Sequence, residues 1–137
     1  MDVRQLPHPD ADSRPYWDGA RDGLLRLQRC SRCRTHRFYP RLLCPKCWSD
    51  ECEWVTARGT GTVYSCSSVL RAPSPAFAER IPYVVALIDL DEGVRVFSNV
   101  VSDPESVRIG SPVVARFEKV NDVITLPVFE LTDGHSE

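Results

Sequence analysis

No run of apolar residues approaches the ~20 that a helix needs to cross a bilayer, and residues 1–12 lack a basic-then-apolar signal pattern. These absences argue against a helical anchor and a secretory leader, and the expectation is a soluble, cytoplasmic protein. Histidine is also scarce. His8 and His135 fall in the terminal stretches, and His36 stands alone between two cysteine pairs. The serines at Ser65, Ser67 and Ser68 therefore have no histidine near them in sequence, and no nucleophile–base pair can be assembled. Asp89 and Asp91 share a strand face, but they directly precede a turn, where Asp is expected anyway. No catalytic residue is predicted. Lysine is rare beside arginine, which reflects a GC-rich genome, and no internal repeat or low-complexity tract is present.

What is present begins with cysteine. Cys30-Ser31-Arg32-Cys33 and Cys44-Pro45-Lys46-Cys47 are two C-x-x-C pairs separated by ten residues. Two tight turns of this kind close a tetrahedron of soft sulfur ligands around one metal ion, the core of a zinc ribbon. In a chain without a signal pattern, such spacing favours metal thiolates over disulfides. Four thiolates leave no open position for water or substrate, so one structural Zn2+ is predicted. Metal binding of about 10–16 kcal/mol in zinc-finger peptides rivals the stability of a small domain, so the module is expected to fold only when metallated. Iron, as in a rubredoxin-type electron carrier, is the competing metal, but the Gly that commonly follows such knuckles is replaced by Arg34 and Trp48. Cys52 is a conceivable substitute ligand. It and Cys66 read more simply as small core or surface thiols, and His36 as a strand residue.

With 137 residues the chain can bury one real core and a small satellite module. The net charge of −2 is unevenly spread: residues 1–58 carry 11 Lys/Arg and 8 Asp/Glu, residues 59–137 carry 6 and 11. Between Gly23 and Ser49 there are seven basic residues, including Arg32, Arg34, Arg37 and Arg41, and no carboxylate. This is either a docking patch for a partner or phosphate, or compensation for the −2 of a zinc tetrathiolate.

The element order reads as mainly β. Residues 1–13 form a polar tail. Asp12 or Ser13 can cap a short helix with Pro15 in its first turn, carrying Tyr16, Ala20 and Leu24 on one face and limited by Gly19 and Gly23. A strand with Leu25, Leu27 and Arg29 on one side and Arg26 and Gln28 on the other leads into the first knuckle. His36 to Pro40 reads as the returning strand, and Glu53 to Val55 as another. Gly59-Thr60-Gly61 is the hinge between a helix-and-ribbon module over 14–58 and a strand-rich domain over 59–131, with a tail over 132–137. The predicted strands are Thr62 to Leu70, Tyr83 to Leu90, Val94 to Val101, Pro112 to Val120 and Val123 to Leu131. With a capped turn at Asp103-Pro104-Glu105-Ser106 between the third and fourth, this is the order of a five-stranded OB-fold barrel. The connection from Arg71 to Pro82 is long and Pro-rich. It exposes Phe77 and Ile81, flanked by Arg71 and Arg80, which makes this loop the candidate ligand or partner contact.

Pro15-Tyr16-Trp17 with Gly19 and Gly23, the paired knuckles, Gly-Thr-Gly-Thr-Val-Tyr-Ser at 59–65, Ala72-Pro73 with Ala76-Phe77, Pro82-Tyr83-Val84-Val85-Ala86-Leu87, and Ile109-Gly110 before Pro112-Val113 form a combined signature. In these the chain resembles the acyl-CoA-associated zinc-ribbon/OB-fold family of bacteria and archaea over roughly residues 14–130. The resemblance implies a rubredoxin-like zinc ribbon followed by an OB fold. It also implies a non-catalytic accessory subunit that binds a thiolase-like enzyme, a lipid-transfer-protein-type aldolase or a MaoC-like hydratase. Such a subunit helps position an acyl-CoA thioester, with steroid or lipid side-chain degradation as the expected setting. The other function class weighed is a single-stranded nucleic-acid-binding module, since zinc ribbons and OB folds both serve there. The acidic excess of the strand-rich portion argues against nucleic acid.

Overall fold

The computed structural model describes residues 9–38, 40–71, 75 and 81–132. Among the described residues lie one α-helix, α1 (Arg14–Arg21), and eight strands. These are β1 (Arg26–Cys30), β2 (His36–Arg37), β3 (Cys52–Thr56), β4 (Thr60–Val69), β5 (Tyr83–Leu90), β6 (Arg95–Val100), β7 (Pro112–Lys119) and β8 (Thr125–Leu131). No helix among the described residues is long and apolar enough to cross a membrane.

Pro15 sits in the first turn of α1, where its missing N–H costs nothing. The capping lies one turn earlier than predicted: Ser13 N–H donates to Asp10 Oδ1 (2.8 Å) and Asp10 N–H donates to Ser13 Oγ (3.1 Å). Neither Asp12 nor Ser13 caps a helix N–H through its side chain, because Ser13 is engaged backwards by Asp10. The helix stops at Gly23, whose φ of +78° suits the residue after the C-cap. Gly23 N–H then reaches Ala20 O (2.9 Å) and Leu24 N–H reaches Gly19 O (2.8 Å). Leu24 thus lies beyond the helix and is 40% exposed, whereas Ala20 is buried and Tyr16 packs on Phe38.

β1 is the centre of a three-stranded antiparallel sheet in the order β2-β1-β3. The predicted returning strand is cut to two residues, and the cause is Gln28. Its Oε1 accepts from Arg37 Nε (2.9 Å) and from Arg41 N–H (2.7 Å), while Nε2 donates to Arg41 O (3.0 Å). These bonds draw the chain after Arg37 off the sheet line and across the Gln28 side chain. The polar side of β1 is accordingly not a solvent face, since Gln28 is buried.

β4 to β8 close into a barrel in the order β4-β5-β6-β8-β7. On β5 the residues alternate, with Val84, Ala86, Ile88 and Leu90 inward. A register shift between Val63 and Ser65 breaks the alternation on β4, so Tyr64 points out while Cys66 is half-buried against the core instead of sharing its exposure. Gly61 is required where β4 crosses β5, because a Cβ there would lie 2.6 Å from Asp89 O. The single turn at Pro104–Ser106 is capped by Asp103, which accepts the Glu105 N–H (3.2 Å). Leu25, Leu27 and Ala57 join Val63, Ile88 and Phe129 in one continuous apolar cluster. The ribbon sheet is thereby fixed to the barrel.

Candidate functional site

Each cysteine pair forms the same turn. Arg34 N–H donates to Cys30 O (2.9 Å) and Cys30 N–H to Thr35 O (2.9 Å); in the second knuckle Trp48 N–H donates to Cys44 O (2.8 Å) and Cys44 N–H to Ser49 O (2.9 Å). The last bond of each turn needs a left-handed residue, and Arg34 and Trp48 both have φ of 68°. The backbone demanded by the knuckle is therefore present at the two positions where glycine is missing. The Sγ atoms of Cys30, Cys33, Cys44 and Cys47 all lie within 4.8 Å of one another. Cys30–Cys47 and Cys33–Cys44 are separated by 3.5 and 3.7 Å. A regular tetrahedron with Zn–S bonds of ~2.3 Å has sulfur–sulfur edges of about 3.8 Å, so the donors fit a zinc ion as they stand.

Donors surround the sulfurs as a thiolate set requires. Cys33 N–H points at Cys30 Sγ (3.4 Å) and Lys46 N–H at Cys44 Sγ (3.4 Å). Thr35 Oγ1 lies 3.3 Å from Cys33 Sγ. Its hydroxyl, followed by its backbone N–H, lowers the Cys33 thiol to about 6. The Cys33 backbone N–H likewise lowers Cys30. Cys47 goes the other way: the Ser49 backbone N–H pulls it down, but burial and the sulfurs of Cys30, Cys33 and Cys44 outweigh that and raise it to about 11. His36 is a strand residue opposite Arg29 and is not part of the cluster.

The basic stretch is not one surface. Arg32, Arg34 and Arg41 are exposed, but Arg37 is only 5% exposed, held by Gln28 and by its Nη2 bond to Arg41 O (2.9 Å). Arg37 therefore leaves the predicted docking patch and becomes an interior cation. Arg29 is engaged by Glu53, with Nε–Oε2 at 2.7 Å. Asp89 and Asp91 do not act as a pair either. Asp89 is ion-paired with Arg95 (2.6 Å), and Asp91 accepts a hydrogen bond from Thr60.

A groove of about 770 Å³ opens where α1, the 38–41 segment and the barrel meet. Tyr16 and Trp17 of α1, Phe38 and Pro40 of the segment, and Leu87, Phe97 and Leu126 of the barrel give it an apolar floor. Arg41, Arg95, Asp10 and Asp12 supply charge of both signs around it. Arg95 is oriented by Asp89 and by the Tyr64 ring, over which its guanidinium lies at 3.4 Å. Sequence reasoning missed this groove because its walls come from five separated segments. The aromatic pair Tyr16-Trp17 before the knuckles was its one visible sign. Of the residues predicted for ligand contact, Arg71 is exposed, Ile81 is half-buried and neither lines the groove. Phe77 and Arg80 lie outside the described residues.

The ChsH2 rubredoxin-like zinc ribbon domain matches residues 17–53, and the ChsH2 C-terminal OB-fold domain matches residues 54–118. A probable enoyl-CoA hydratase alpha subunit of Thermomonospora curvata is 40% identical over 93% of this chain, which spans 40% of that relative's length. A DUF35 domain-containing scaffold protein of Methanocaldococcus jannaschii is 41% identical over 69% of this chain and 67% of its own. A benzoylsuccinyl-CoA thiolase subunit BbsA of Thauera aromatica is 32% identical over 84% of this chain and 76% of its own. Among solved structures, a chain of an Ltp2-ChsH2(DUF35) aldolase superposes with a TM-score of 0.82 at 39% identity, covering 92% of this chain and 98% of that one.

Proposed function

Because the chain belongs to the ChsH2/DUF35 family of zinc-ribbon and OB-fold proteins, we propose that it is a non-catalytic accessory subunit of an acyl-CoA enzyme in the cytoplasm. Its partner is a lipid-transfer-protein-type aldolase, a thiolase-like enzyme or a MaoC-like hydratase acting on a steroid side chain or related lipid. The observation that carries this reading is the agreement over nearly the whole length with a chain of the Ltp2-ChsH2(DUF35) aldolase. The named relatives that act in complexes are subunits of enzymes for CoA thioesters, which supports the same substrate class.

In this reading one structural zinc is held by Cys30, Cys33, Cys44 and Cys47. With four thiolates bound, the metal supplies rigidity and no open coordination position. The module over 14–58 sets the docking surface, to which the exposed Arg32, Arg34 and Arg41 contribute. The OB domain over 59–131 shares the groove with α1 and the 38–41 segment, and its apolar floor takes the acyl group while Arg41 and Arg95 face its polar end. Arg71, Phe77, Arg80 and Ile81 remain the further candidates for contact with acyl-CoA or the partner.

The test is assembly. The zinc-loaded chain is mixed with a purified aldolase, thiolase and hydratase of these classes, and complexes are read by light scattering after gel filtration. A stoichiometric complex with one of the three is expected, through an interface of about 1,000 Å² or more. Elution of every mixture as separate components overturns the proposal.

A further inference from the structure

Cys52 is a fifth thiol, one strand over from a cysteine of the four-sulfur cluster. It opens β3 and is the cross-strand partner of Cys30 on β1. The hydrogen bonds between these strands define the kind of pair. Ser31 N–H donates to Glu51 O (3.0 Å) and Ala57 N–H to Leu25 O (2.7 Å), so 31/51 and 25/57 are hydrogen-bonded pairs. Alternation along the ladder then makes Cys30/Cys52 a non-hydrogen-bonded pair, with Cα atoms about 4.5 Å apart and side chains on one face. That separation falls within the roughly 4.4–6.8 Å that a disulfide spans.

Exposure orders the chemistry. Cys30 is fully buried, whereas Cys52, like Cys33 and Cys47, is half-buried, so within the cross-strand pair Cys52 is the sulfur an oxidant reaches first. Gln28, two residues before Cys30 on the same face of β1, donates from Nε2 to Cys52 Sγ (3.6 Å) and so turns it to the face that Cys30 occupies. Cys66, the other thiol outside the cluster, lies on β4 near Val107 O (4.0 Å) and serves as an internal control.

We infer that Cys52 and Cys30 form a reversible cross-strand disulfide under peroxide, which withdraws one ligand from the metal and releases it. Peroxide converts the Cys52 thiol to a sulfenic acid, with one oxygen joining sulfur and the other leaving as water. The Cys30 thiolate attacks the Cys52 sulfur, the S–S bond forms, the S–O bond breaks, and hydroxide departs to take up a proton. Two sulfurs have lost two electrons and one hydrogen peroxide has become two waters. A dithiol reductant with added zinc reverses the change. The inference rests on the cluster holding zinc, while the disulfide itself is read independently of the metal.

The experiment treats the zinc-loaded full chain with hydrogen peroxide, follows zinc release with a chromogenic chelator, and maps disulfides by non-reducing peptide mass spectrometry with fragmentation to separate Cys47 from Cys52. A Cys30–Cys52 linkage is expected, with release about tenfold slower in Cys52→Ser and unchanged in Cys66→Ser. Equal release from Cys52→Ser, or linkages confined to Cys30, Cys33, Cys44 and Cys47, overturns it. A preparation that holds no zinc before peroxide refutes the metal reading, and the disulfide map still decides this one.

Discussion

Arg34 and Trp48 occupy the left-handed position that closes each knuckle, a conformation in which a Cβ is strained by about 1–2 kcal/mol. Both side chains are exposed, so no packing inside the chain explains their retention. Arg34→Gly is expected to stabilise the zinc-loaded protein by about 0.5–1 kcal/mol, because relief of strain exceeds the added freedom of glycine in the unfolded chain. Denaturant titration of the metal-loaded variant checks this. The cysteines set a pH dependence of metal binding. In the metal-free protein Cys33 is lowered to about 6 and Cys47 raised to about 11. At neutral pH Cys33 is already a thiolate, while Cys47 must lose a proton to bind. Affinity therefore falls as pH falls, and falls more steeply once pH drops below about 6 and Cys33 must also be deprotonated. Competition with a chelator between neutral pH and mild acid measures the change in slope.

At the scale of elements, Gly61 of β4 lies so close to β5 that the Asp89 carbonyl oxygen would be 2.6 Å from an added Cβ. Gly61→Ala is expected to destabilise the protein by about 1–3 kcal/mol, since the obstructing atom is the Asp89 carbonyl and not a flexible side chain. Thermal unfolding beside the wild type reads it. The same elements show how far the sequence could be followed. β5 is placed at its residues by the apolar run from Tyr83 to Ile88 before the Asp91-Glu92-Gly93 turn, and the Asp103-Pro104 turn by its own capping chemistry. Their signals are local. The short β2, the burial of Gln28 and Arg37 and the turning of Tyr64 away from Cys66 depend on side-chain networks and a bulge that join distant segments. No periodicity within one segment encodes these. Likewise the four clustered cysteines were readable from spacing, whereas the groove required α1, the 38–41 segment, β5, β6 and β8 to be brought together.

For the molecule as a whole, one apolar cluster runs from Leu25 and Leu27 of the ribbon to Phe129 of the barrel, with Tyr16 and Phe38 of the groove packed against it. Phe97 is 66% exposed at that groove, and Phe97→Asp is expected to leave folding intact while weakening the effect of the chain on its partner's acyl-CoA turnover. Circular dichroism and steady-state kinetics separate the two outcomes. The central claim is that this chain serves an acyl-CoA enzyme through a metal-stapled docking body. It is tested most directly by measuring acyl-CoA turnover of the aldolase, thiolase or hydratase that binds it, with zinc-loaded, zinc-stripped and no added chain. Full turnover is expected only with the zinc-loaded chain. Equal turnover in all three conditions would contradict it.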